Sequence, residues 1–235
     1  MKHIVLSLLV FLPVPALFSF PDYYVTLRDA IYAQQLNADE IVPLYQEAME
    51  KARENLTGSE LYIILSRCEY MLGRAYQYEN RKPEAAARYE QGILWAQKAQ
   101  GEGAGAESWQ MLAENISQSC AVRSVSYALA NGLKVESYSK KALAEDPQNA
   151  AARFMIAARW VYAPSPFHDY KKGIRMMEEI LSAAGNPGKD DLFNIYSAIG
   201  YAYLQQKKHG DARPWFLKAL EIYPTNKYVL SLLNG

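Results

Sequence analysis

Two cysteines and three histidines are all that a chain of 235 residues offers of the usual metal-binding chemistry. His3 belongs to the N-terminal head, and His168 and His209 each stand alone in a turn. Neither has a second His, Cys or carboxylate at ligand spacing, so no metal site and no cofactor are expected. No strand is predicted and no Gly-x-Ser-x-Gly elbow occurs, which removes the common hydrolase arrangement. Carboxylate pairs such as Glu178-Glu179 and Asp190-Asp191 read as an exposed helix face and a helix cap. With no nucleophile, base and orienter in one pattern, the chain is not expected to be an enzyme.

Charge of one sign is also missing. Lys+Arg and Asp+Glu each number 25, so no basic excess exists to neutralise phosphates, and nucleic acid is not expected as a partner. Gly and Pro, 13 and 11, are too few for a disordered or low-complexity chain. The Gly-rich stretch 101–105 follows no strand and lacks a closing Lys-Ser/Thr, so it reads as a flexible break and not as a phosphate cradle.

Long apolar runs are scarce, with one exception. After Met1-Lys2-His3 the chain is apolar from Ile4 to Phe20 save Ser7 and Ser19, and Pro13 and Pro15 interrupt it before a comfortable membrane span. Residues 1–19 read as a secretory signal peptide, with Leu17 and Ser19 before the cut. An exported, periplasmic protein is therefore expected, touching a membrane only through an uncleaved signal. No Cys stands at the junction to carry a lipid.

What is present is helical periodicity and tyrosine. The composition is 50% hydrophobic, and 18 Tyr suit shallow helical cores, because the ring packs while the hydroxyl stays wet. Residues 20–58 read as an N-terminal helix pair, and residues 59–235 as a continuous array of hairpins with a final short helix from Asn226. The periodicity predicts one long helix over 107–131, turned at Asn131-Gly132 into a shorter one.

The most regular stretch runs from Phe193 to Pro224. Counting Phe193 as 1, Tyr196 falls at 4, Gly200 at 8, Tyr203 at 11, Ala212 at 20, Phe216 at 24, Ala219 at 27 and Pro224 at 32. Small residues lie where two helices must cross closely, and aromatics fill the space beside them. Pro224 lacks an N–H and stops the second helix. This pattern resembles the tetratricopeptide repeat. Leu72, Gly73, Tyr76, Ala85, Tyr89 and Gly92 repeat much of the same spacing. The resemblance implies an all-α, right-handed α-solenoid of about five stacked hairpins, its open end covered by the final helix.

The resemblance also implies a function and a site. Proteins of this family bind a protein or peptide along the concave groove lined by the first helix of each hairpin. Carried over residue by residue, the groove positions are Arg67, Tyr70, Arg74 and Gln77 with Tyr78 beside them, Ala152, Met155, Arg159 and Tyr162, and Asn194, Ser197, Tyr201 and Leu204. Arg67 and Arg74 are expected to reach solvent, since an unpaired buried guanidinium is costly. The Lys/Asn pair with which some members clamp a terminal carboxylate is absent. Cys68 and Cys120 fall near equivalent positions of consecutive first helices, where export would permit a disulfide and two buried thiols are the alternative. A weaker similarity, carried by the Ala163-Pro164-Ser165-Pro166-Phe167 turn and by export, is to the T component of periplasmic TRAP-type transporters. It would make the chain a solute-handling component instead of a scaffold.

Overall fold

A computed structural model describes residues 20–183 and 187–235; the leader expected over residues 1–19 lies outside them. Among the described residues there are eleven helices and no strand. They pair as α1 (Asp22–Ala33) with α2 (Ala38–Asn55), α3 (Gly58–Tyr78) with α4 (Lys82–Gly101), and α5 (Gly105–Val122) with α6 (Val125–Glu145). Then come α7 (Ala150–Tyr162) with α8 (Tyr170–Ser182), α9 (Lys189–Gln205) with α10 (His209–Ile222), and a last short α11 (Lys227–Asn234). The five hairpins form an α-solenoid in which α1, α3, α5, α7 and α9 make the inner layer, each first helix packed beside the next.

Local chemistry sets the helix starts. Asn37 caps α2 by accepting the Glu40 N–H at 3.0 Å, and Glu40 reaches back to the Asn37 N–H at 2.8 Å. Asn149, Asp169 and Asn226 accept in the same way at the starts of α7, α8 and α11. Within the hairpins close approach is bought with glycine. A Cβ on Gly200 would lie 2.6 Å from the Phe216 ring, and one on Gly73 would lie 2.5 Å from the Tyr89 ring. The equivalent small positions thus sit at helix crossings in both hairpins, as the periodicity predicts.

The third hairpin differs from expectation. The chain breaks at Arg123-Ser124, and α6 runs straight through Asn131-Gly132. Ser124 caps the new helix by accepting the Tyr127 N–H at 3.3 Å, and the Asn131 side chain donates back to the Tyr127 carbonyl at 3.0 Å. Asn-Gly is a strong turn dipeptide, but Gly132 has helical backbone and faces open space, so the helix only bears the modest penalty of an interior glycine.

The second difference is larger: the solenoid has no open end for α11 to cover, because its two ends meet. The α1 helix lies against α3 on one side and meets the last hairpin on the other. Tyr32, 1% exposed, stacks on Tyr223 with centroids 5.0 Å apart and meets the Phe193 ring edge-on at 5.3 Å. Tyr223 donates its hydroxyl to Asp29 at 2.7 Å, and Lys189 and Arg28 bridge to Asp29 and Asp190. From the C-terminal side, Thr225 and Asn226 donate to the Ala33 and Tyr32 carbonyls, each at 2.7 Å, while the Tyr228 N–H donates to the Gln34 side chain. The apolar core of α10 and α11 accordingly runs on into that of α1 to α4.

Candidate functional site

Closing a ring of inner helices changes a groove into a funnel. Its hollow, about 730 Å³, is walled by Tyr70, Arg74, Gln77 and Tyr78 of α3, by the end of α5 from Ser117 to Ala121, and by Ala128, Gly132, Val135 and Glu136 of α6. Phe154, Met155, Ala158, Arg159 and Tyr162 of α7, Phe193, Asn194 and Ser197 of α9, and Tyr228 of α11 complete it. Tyr70, Phe154, Met155 and Asn194 form a floor, because they also line a much smaller polar cavity at the ring's centre.

The expected groove residues divide along that floor. Arg74, Gln77, Tyr78, Arg159 and Tyr162 stand in the funnel wall, and Tyr70 faces it although buried. Tyr201 stands behind the wall, its ring 5.3 Å from that of Tyr162. Arg67 lies beneath the floor and is 6% exposed, contrary to the expectation that it reaches solvent. The cost of burying it is offset by Glu107, 3.3 Å away on α5, and by the Phe20 ring, 4.6 Å from the guanidinium carbon. Ala152 is fully buried in the core. The cysteines are free thiols: Cys68 is buried in the core, and Cys120 faces the funnel. They point to different surroundings, and the disulfide that export would permit is not formed.

Arg74 is the best-positioned cation. It donates from Nε to the Tyr78 hydroxyl at 3.1 Å and from Nη1 to the Tyr70 hydroxyl at 3.2 Å, with Nη2 also on Tyr78. Its guanidinium carbon sits 4.9 Å from the Tyr32 ring centre, so the residue that closes the solenoid also seats this side chain. Among the described residues no carboxylate pairs with it, whereas Arg159 is bridged to Glu136 on α6. Beneath the floor the acids Glu114, Asp190 and Asp191 surround the central cavity with Arg67. Burial, with the charges of Asp190 and Glu114 alongside, pushes the Asp191 carboxyl up to about 7, and burial raises Glu114 as well.

Large apolar side chains are exposed on the wall and on the elements that supply it. Tyr162 is 49% and Tyr228 40% exposed on the wall itself. Val125, Leu129 and Leu133, 73–77% exposed, recur every four residues on α6 next to the face that lines the funnel. Phe167 stands in the turn that follows Pro164 of the wall.

Residues 193–226, the α9–α10 hairpin, match the family model described as the tetratricopeptide repeat. The α9–α10 hairpin is a tetratricopeptide repeat. A solved structure described as YrrB, a TPR protein with an unusual peptide-binding site, is similar over 91% of this chain and 91% of its own, at 14% identity and a TM-score of 0.39. No curated protein matches. The wall supplied by α6 and α11 is not legible in the sequence. The α6 residues were divided between two helices by the Asn131-Gly132 reading, and Tyr228 reaches the funnel only because the ends meet.

Proposed function

We propose that the chain is an interaction scaffold whose protein or peptide partner docks across the mouth of the funnel, and that it acts after export. One observation carries the docking reading: the exposed stripe Val125–Leu129–Leu133 lies on α6, the helix whose Ala128, Gly132, Val135 and Glu136 line the cavity. A contiguous exposed apolar surface around an opening is costly for a protein that works alone, and such patches mark interaction sites. Tyr162, Tyr228 and Arg159 add residue types that dominate binding hot spots. Export is supported by the basic head and apolar run of residues 1–20.

The docking test pairs Leu129→Asp with Leu133→Asp in affinity capture from the native envelope. Exposed substitutions of this kind shift stability by about 0.5 kcal/mol or less, so the variant should melt like the parent. Capture of the stoichiometric partner should fall by at least tenfold, since hot-spot losses run to about 1–2 kcal/mol per residue. Undiminished capture would sink the reading. N-terminal sequencing of envelope material beginning at Met1 would remove signal cleavage.

A further inference from the structure

The cavity beneath the mouth has its own chemistry. Arg74 projects into it half-buried, its orientation held by the two phenol oxygens of Tyr70 and Tyr78 and by the Tyr32 ring. The three bonds to those phenols use three of the five N–H donors of a guanidinium, and among the described residues no carboxylate forms an ion pair with it. Opposite and below are apolar surfaces: Phe154, Met155 and Ala158 from α7, Phe193 from α9 and Val135 from α6. Because the ring of inner helices is floored by Tyr70, Phe154, Met155 and Asn194, this hollow is a blind end and not a trough through which an extended chain could pass. Its volume of about 730 Å³ falls in the range of small-molecule pockets, which combine an apolar lining with a few placed polar groups.

We propose that the funnel holds a small amphipathic carboxylic acid, its carboxylate on Arg74 and its aliphatic or aromatic body against Phe154, Met155 and Phe193. Arginine suits the task, because its planar fork binds a carboxylate through parallel N–H bonds and stays charged at any working pH. A neutral apolar molecule would leave that cation desolvated and unpaired, so the site discriminates against it. A long-bodied acid fits better than a short one, since the lining extends from the guanidinium down to the floor. This inference does not rest on partner docking at the rim: it uses the wall and the floor.

Decanoate is the probe, titrated calorimetrically into the full chain. The expected result is saturable one-to-one binding, at least tenfold weaker for decanol, which has the same body without the charge. Arg74→Gln should weaken decanoate by at least tenfold and leave decanol unchanged, and Arg74→Lys should restore part of the difference. Ala128→Trp, on the wall from α6, should block both ligands by filling the space, and a thermal melt of each variant shows that it is folded. Non-saturable decanoate binding, equal affinity for decanol, or an unchanged affinity in folded Arg74→Gln would overturn the proposal. So would binding confined to a peptide ending in an apolar residue. The Leu129→Asp and Leu133→Asp pair leaves decanoate binding intact, which keeps failure of this site distinguishable from failure of partner docking.

Discussion

Gly200 shows how much one missing methyl group decides. The Phe216 ring occupies the space where a side chain on α9 would begin, so Gly200→Leu must push α10 away. The expected cost is about 1–3 kcal/mol or more, read from urea unfolding, and an unchanged midpoint would mean that α9 and α10 do not cross there. Asp191 shows how place sets charge. Its folded carboxyl titrates at about 7, above the ordinary value near 3.9, so the folded state holds the proton more tightly. The stabilising contribution is complete below about pH 4 and is lost as pH rises toward 7. Unfolding midpoints of Asp191→Asn should therefore fall less across that window than those of the parent, and parallel curves would count against the assignment.

Among the elements, α6 carries the sharpest contrast between two readings of the same residues. As a turn, Asn131-Gly132 would need glycine; as helix interior, glycine is a weakness. Gly132 faces open space with helical backbone, so Gly132→Ala should stabilise the protein by about 0.5–1 kcal/mol. Destabilisation in the same assay would restore a turn at that point. The start of the helix should respond in the opposite sense: Ser124→Ala removes the acceptor of the Tyr127 N–H and should cost about 1 kcal/mol.

At the scale of the molecule, Tyr32 joins the ends. It stacks on Tyr223, meets Phe193, accepts the Asn194 amide at 2.9 Å and supports Arg74. Removing its ring by Tyr32→Ala should cost about 3–5 kcal/mol, as for other buried aromatics. Hydrogen exchange should then show α1, α9 and α11 losing protection together, because each borrows its partners from the others. If α1 alone loosened, closure would be a passive contact and the funnel would keep its shape without it.

The helical class, the five hairpins, the crossing at Gly200 and most wall positions of α3, α7 and α9 were legible in the order of residues. They rest on local rules: 3.6-residue periodicity, small residues at crossings, capping side chains and Pro224 after the last full helix. Arg67 was misplaced because its burial depends on Glu107, 40 residues away, and on Phe20, neither of which its own helix announces. The break at Ser124 lost to a stronger dipeptide seven residues later. Tertiary structure alone decided that the solenoid closes. The contacts of Asp29, Tyr32 and Gln34 with Lys189, Phe193, Tyr223 and Tyr228 span most of the chain, and such pairings follow from the small rotation accumulated at each hairpin. No single repeat encodes that sum, yet it turns an open groove into a floored pocket with an unpaired arginine in its wall.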